Sequence, residues 1–293
     1  MIFLKIILVV FGFVFKPFRR CWQKGMSIEC LVVGYGGANN TGAEARTSEA
    51  IGQMLAADPR IVVTLSSLNK EQSLRYLEET DRLHIAEINP IFIISVLKLV
   101  LRTDIVVLVE GSCFKENFSS ALLWFFMYSA ELAQRFGVPT VTYGVDAGNL
   151  SSKNRVWARN VANQIDLLMV RTHAAEQVLK SIGVTRNIAV TTDTAFSLEA
   201  APDKWAWDTL KSQQINFQKP IVGIAFEEFY WWPVVASPLR ALLGEKEDHY
   251  KSIYYHSWGR FGKQKSRRMK EEVAEYADWL VKEFGAQVVL IAM

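Results

Sequence analysis

Ile28–Arg46 reads IECLVVGYGGANNTGAEAR, and this stretch decides the fold. The apolar run Leu31-Val32-Val33 reads as a buried strand. Gly34, Gly36, Gly37, Asn39, Asn40 and Gly42 follow as a turn, and from Ala43 the apolar positions Ala45, Ile51 and Leu55 fall at helical spacing. Strand, glycine loop and helix form the opening unit of a doubly wound α/β domain. Glycine lets a backbone turn sharply and approach a ligand closely. A helix N-terminus behind such a loop offers N–H groups and partial positive charge to an anion. The spacing is not the dinucleotide fingerprint, because Ala38 and Asn39 stand where its third glycine belongs. It is not a P-loop, because no Lys-Ser/Thr pair follows Gly42. A plain βα turn and a ligand loop both fit, and the density of Gly and Asn favours the ligand.

Downstream, strands and helices alternate. Strands are expected at 60–65, 84–88, 105–109, 140–143, 167–170 and 188–191. Helices are expected at 43–57, 71–79, 90–101, 118–136, 153–164 and 172–182. This alternation argues for a mostly parallel sheet. Residues 201–219 are polar, carry Pro202 and Pro220 at their margins, and read as a linker containing a helix at 204–213. A new strand is expected at 221–226, an irregular aromatic stretch at 227–262, a charged helix at 266–284 and a last strand at 287–293. The organisation expected is therefore a membrane-proximal segment (1–25), a Rossmann-like domain (26–200), the linker, and the start of a second Rossmann-like domain (220–293). A parallel sheet must be covered on both faces, so the second domain reads as truncated or completed by another chain.

Residues 1–24 stand apart. Ile6–Phe15 is almost wholly apolar, and Lys16, Arg19, Arg20 and Lys24 follow it. A spanning helix needs roughly 20 apolar residues, so this run fits an interfacial anchor better. Positive charge after the run favours the cytoplasmic side, which predicts peripheral attachment at the inner face of the cell membrane. A start at Met26 is the alternative.

The chain has 293 residues, 50% apolar and 22% charged, with a net charge of +3. That charge is too weak to argue for nucleic acid, and no nucleic-acid signature is present. Cys21, Cys30 and Cys113 have no metal-ligand spacing and point to a reducing compartment. Cys30 and Cys113 are expected to be buried.

Ligands of open α/β sheets bind beyond the C-terminal ends of the strands. Gly36, Asn40 and Glu44 follow the first strand, Glu110 and Lys115 follow Val109, and Asp146 follows Tyr143. Glu110 comes directly after apolar residues, where a carboxylate is costly unless paired or at a ligand edge. A salt bridge to Lys115 or a neighbouring arginine is the structural alternative. Arg171 follows Leu167–Val170, where its fork suits a carboxylate or phosphate. A structural pair with Asp193 or Glu110 is equally compatible. His256 lies in the polar-aromatic Tyr254–Trp258, fit to hold a sugar or to move a proton, though a lone histidine is more often structural. The Phe229–Trp232 run reads as inter-domain packing first, with a sugar platform and a membrane-facing patch as the alternatives. Lys263–Lys270, with five Lys/Arg, reads as a solvated helix start.

Together these segments resemble the polysaccharide pyruvyl transferase family. Asn40-Thr41-Gly42-Ala43-Glu44-Ala45 is similar to its glycine-rich opening, and Glu110-Gly111-Ser112 to its mid-domain strand end. Gly144–Gly148 stands at its glycine turn. Val170-Arg171-Thr172-His173 with Leu179–Val184, and Val190–Phe196 with Asp193, match two later motifs. The likeness covers about 27–200 well and 220–293 loosely. It departs from the family at Ala43 and Thr172, where aspartate is usual, and at Ala225-Phe226-Glu227, where the family carries Ser-x-Arg.

The resemblance implies a two-domain, glycosyltransferase-B-like α/β enzyme. The family moves pyruvate from phosphoenolpyruvate to sugar hydroxyls as a ketal, with no essential metal and no cofactor beyond that donor. It implies Arg171, Lys115 and His256 for the charged roles, and Glu110 or Asp146 for the sugar hydroxyls. The acceptor it implies is a cell-surface polysaccharide or its lipid-linked precursor. Two other readings stay open. One is a nucleotide-sugar glycosyltransferase, and the other a non-catalytic, membrane-attached glycan-binding relative.

Overall fold

The computed structural model describes residues 2–291. In chain order the elements are α1 (Ile2–Val14), β1 (Ile28–Gly36), α2 (Thr41–Ala57), β2 (Ile61–Ser67), α3 (Lys70–Ser73), β3 (Leu83–Glu87), α4 (Ile93–Val100), β4 (Ile105–Leu108), α5 (Ser120–Phe136), β5 (Thr140–Val145), α6 (Ser152–Ala162), β6 (Leu167–Val170), α7 (His173–Ser181) and β7 (Ile188–Val190). After them come α8 (Asp203–Ser212), β8 (Ile221–Ile224), β9 (Val234–Ala236), α9 (Pro238–Leu242), β10 (His249–Lys251), β11 (Tyr254–His256), α10 (Gly262–Phe284) and β12 (Gln287–Leu290).

Seven strands form one parallel sheet in the order β3-β2-β1-β4-β5-β6-β7. Its strands are apolar on both sides because both sides are covered. Leu31 and Val33 of β1 and Val106 and Leu108 of β4 pack on the α4–α7 side. Cys30 and Val32 of β1, with Val107 of β4, face the other way, towards Ala50 and Ile51 of α2. The side chains alternate because the strand period is two. The chain order reverses between β1 and β4, so the crevice beyond their C-terminal ends is the place where such a sheet binds ligands.

Three expectations are corrected. The helix expected over 71–79 ends at Ser73, because Glu79 turns back to accept from the Ile85 amide and pairs with Lys70. Residues 227–262 are not irregular throughout: β10, β11 and β9 form an antiparallel sheet of three-residue strands, too short for alternation to show in the sequence. The N-terminal segment does not stand apart. Helix α1 lies on α5, burying Leu4 and Leu8 in the main core, with Gly12 against the Arg135 side chain. That explains why α5 is apolar nearly all round: the sheet covers one side of it and α1 helps to cover the other. Arg20 then straps the chain to the sheet through Asp104, Ser27 and Leu101.

Beyond β7 the chain passes through α8 to β8, which pairs in parallel with β12 and, among the described residues, with no other strand. Helix α10 packs against β12. No residue of β8 or β12 is fully buried.

Candidate active site

The floor of the crevice is built from the ends of β1, β4, β5 and β6. At the end of β1, Gly37 takes a left-handed backbone (φ 69°), and a Cβ there would stand 2.3 Å from the Asn69 carbonyl oxygen. Only glycine fits. Its amide donates to Glu44 Oε1 at 2.7 Å, and the Asn40 side chain caps α2 by accepting from the Ala43 amide at 2.8 Å. These N–H groups are therefore satisfied internally. Glu44, fully buried, braces the loop from behind. Burial pushes its carboxyl above the usual range, against the Gly37 and Ala38 amides, and its Oε2 has no partner.

Arg46, two residues further along α2, organises the floor. It forks onto Asp193 with Nε and Nη2, both at 3.0 Å, and its Nη1 donates to Glu110 Oε1 at 3.2 Å. Arg171, at the end of β6, donates to Asp193 Oδ2 at 2.6 Å and to Asp146 Oδ2 at 2.7 Å. Lys115 Nζ reaches the same Asp146 oxygen at 3.2 Å. Three cations and three carboxylates thus form one connected network. The Thr194 hydroxyl ties it to α2 by donating to the Arg46 carbonyl at 3.0 Å. Gly111 lies where the two guanidiniums meet: a Cβ there would be 3.1 Å from Arg46 Nη1 and 3.3 Å from Arg171 Nη2.

Glu110 differs from the two aspartates. It is buried, its Oε2 has no partner, and it lines the crevice. Burial raises its carboxyl above the usual range despite the nearby Arg46 and Arg171. Burial also pushes Asp146 and Asp193 up. Their bonds to Arg171 and Arg46 outweigh that, so both end below the usual range. Arg171, pushed down by burial, is held above its ordinary value by Asp146 and Asp193. One group in the network thus favours holding a proton while its neighbours favour the ionised form.

The facing wall is aromatic. Phe118 touches Trp231, Trp232 and Tyr250 edge-on, with ring centroids 5.5–5.9 Å apart, and Trp231 stacks on Tyr250 at 5.7 Å. The Phe229–Trp232 run therefore packs between the two parts of the chain and also lines the crevice. Three bonds fasten this wall to the sheet unit. The Tyr35 and Tyr250 hydroxyls share one at 2.8 Å, the Val234 amide donates to the Phe118 carbonyl at 2.7 Å, and Lys251 Nζ donates to the Leu68 carbonyl at 3.3 Å.

Of the residues expected at the site, Glu110, Arg171 and Asn40 line the crevice. Lys115, Asp146 and Asp193 hold the floor through the ion network, while Gly36 and Glu44 shape the loop behind it. His256 does not join this group: its ring lies 4.7 Å from Trp231, and burial lowers its pKa against the pull of Asp248 and Glu228. The sequence reading missed Arg46 and the aromatic partners Tyr35, Phe118 and Tyr250. Lys115 is not the partner of Glu110; Arg46 is. Thr172 keeps the capping role at α7, its hydroxyl accepting from the Ala175 amide at 3.0 Å, which accounts for its tolerance in place of aspartate. Glu227, where the family carries arginine, faces the crevice.

The profile of the family described as polysaccharide pyruvyl transferase matches residues 13–282. No curated protein sequence matches the chain. Among solved structures, a UGT transferase from Siraitia grosvenorii in complex with UDP aligns with 69% of this chain and 59% of its own, at 14% identity and a TM-score of 0.39. A mutated uronate dehydrogenase aligns with 64% of this chain and 87% of its own, at 13% identity and a TM-score of 0.34. The chain spans less than two thirds of the first of these structures.

Proposed function

The chain belongs to the polysaccharide pyruvyl transferase family, and we propose that it moves pyruvate from phosphoenolpyruvate onto two hydroxyls of a sugar. The observation that carries this reading is Glu110: buried, raised above the usual carboxylate range, and presenting an unpartnered oxygen in a crevice lined by two arginines. A carboxyl whose proton is held more tightly than usual is suited to general acid work. Glu110 gives its proton to C3 of the enol, and one sugar hydroxyl adds to C2. Phosphate then leaves C2 with the C–O electron pair, and the second hydroxyl takes its place. Of the two hydroxyl protons released, one restores Glu110 and the other leaves with phosphate.

A guanidinium carries five N–H donors. Arg46 uses three in the network and Arg171 two, so both retain donors for the donor's carboxylate and phosphate. Trp231, Trp232 and Tyr250 offer the flat faces on which a sugar ring packs. His256 supports Trp231 from behind.

Glu110→Gln is expected to cut phosphoenolpyruvate-dependent phosphate release by at least about 100-fold, the lower range for a general acid. Full activity in that variant would sink the assignment. One observation favours a second reading, glycan binding without transfer: Glu227 adds negative charge where an anionic donor must enter. Phosphoenolpyruvate that fails to raise the thermal midpoint, while a sugar ligand does, supports that second reading.

We also place the protein at the cytoplasmic membrane surface. Helix α1 is about 20 Å long at 1.5 Å per residue, and no helix among the described residues is long and apolar enough to cross a membrane. With Leu4 and Leu8 buried, α1 still presents Phe3, Ile6, Val9 and Phe13 to the outside, Phe13 at 86% exposure. Lys16 and Lys24 follow, both exposed. An apolar face bordered by positive charge suits anionic lipid. Phe13→Asp should lower co-sedimentation with anionic vesicles several-fold; unchanged sedimentation would remove the attachment.

A further inference from the structure

The crevice carries one charge that its floor leaves unbalanced. The floor sets Arg46, Arg171 and Lys115 against Asp193, Asp146 and Glu110. Glu227 also lines the crevice, and it forms no ion pair or side-chain hydrogen bond among the described residues. Residues 220–239, which bring it there, contain no lysine or arginine. Arg240, the next cation along the chain, is committed to Glu245 at 2.7 Å and to the face of Tyr255, which does not line the crevice. The same short segment supplies rings. Phe229 and Trp232 lie 4.3 Å apart between centroids, tilted by 44°, and both line the crevice with Trp231 and Tyr250. An aromatic face attracts a cation within about 6 Å of its centre, and tryptophan does so best. Rings and an unpaired carboxylate in one crevice are the chemistry that recognises an ammonium group.

Phosphoenolpyruvate adds a carboxylate and a phosphate to this surplus, so a second substrate entering beside it meets negative charge. We propose that the acceptor is an amino sugar with a free, protonated amine, Glu227 pairing with the ammonium while the rings pack on the sugar. Glu227 is then the residue that selects the acceptor, and the charge at the mouth has a part in transfer. N-acetylation removes the positive charge, so the acetylated sugar loses the contact. The proposal rests on the transfer reading only in making this sugar the acceptor; the preference for an amine is read from binding alone.

Methyl glycosides of glucosamine, galactosamine and mannosamine serve as probes, each against its N-acetyl form and its parent hexose. Binding to the full chain is read by NMR titration at about pH 6, where an amine of this kind holds its proton. An exposed ion pair is weak alone and the rings add to it, so at least one amine should bind about fivefold more tightly than its two neutral counterparts. That preference should shrink at about pH 9, as the amine loses its charge. Glu227→Gln should bring the amine and its neutral counterparts to equal affinity. Glu227→Arg, which places the family's residue there, should turn the preference towards the neutral sugars. Equal binding within all the sets, or a preference that survives both substitutions, overturns the proposal. Ethanolamine bound as tightly as the amino sugars would overturn it too, because the crevice would then take a free amine and not a sugar. Phosphoenolpyruvate-dependent transfer to the hexosides without any preference for an amine would leave the transfer reading standing and this inference fallen. A preference for the amine with no sugar pyruvylated would do the reverse.

Discussion

Ile105–Leu108 and Ile221–Ile224 read IVVL and IVGI, near copies in opposite surroundings. In β4 three of the four residues are buried, with α5 over one face and α2 over the other. In β8 none is, and among the described residues its one strand partner is β12. Each strand leads to a glutamate in the crevice. Glu110, after β4, is buried and tied to Arg46; Glu227, after β8, is exposed. Burial is thus conferred by neighbouring layers, not by the strand's own residues. At Glu110 it raises the carboxyl above the usual range.

Three substitutions put that contrast at risk. The largest effect is expected at Arg46→Met, which leaves Asp193 and Glu110 without their shared cation. Breaking a buried ion network from one side costs about 3–5 kcal/mol, read by denaturant unfolding. A loss under about 1 kcal/mol would mean the floor is not set by its ion pairs. Next, Leu108→Ala should cost about 2–5 kcal/mol as a buried leucine, whereas Ile221→Ala, at a position 40% exposed, should stay within about 0.5 kcal/mol. Equal costs would erase the distinction between the strands.

The smallest effect is a slope with pH. Burial raises Glu110 in the folded state, so the native protein binds that proton more tightly than the unfolded chain. Its ionisation therefore lowers stability as pH rises from the usual carboxylate range through the raised value. Asp146 and Asp193, held low, act oppositely: their contribution is present above the ordinary aspartate value and lost as pH falls through the depressed one. Glu110→Gln should gain stability relative to the parent on raising the pH and show no such gain in acid. A pH-independent difference between the two would argue against a proton on Glu110.

Much of the sheet unit was legible because its signals are local. The runs at 31–33 and 105–109 have to be apolar on both faces, and Gly37 must be glycine for its backbone to turn. Glu110 and Arg171 stood out as charges directly after apolar strands. Arg46 did not, because a charged residue early in a helix usually meets water, and its partner Asp193 lies 147 positions away. The β9–β11–β10 sheet was illegible for its three-residue strands. The seat of α1 was hidden as well, since an apolar run does not say whether protein or lipid covers it. Here Leu4 and Leu8 meet α5 while Phe3 and Phe13 point away.

The three bonds that fasten Tyr250, Val234 and Lys251 to the sheet unit have a mechanical result. Among the described residues no hydrogen bond or ion pair joins β8, β12 or α10 to that unit. Helix α10 instead pairs with the wall's own segment, Lys263 with Glu247 and Asp248 and Lys270 with Glu228, so the wall couples the floor to the strand pair and its helix. Glu227 stands on the β8 side of that link and Glu110 on the floor side, so a load on the strand pair reaches the crevice through the aromatic rings.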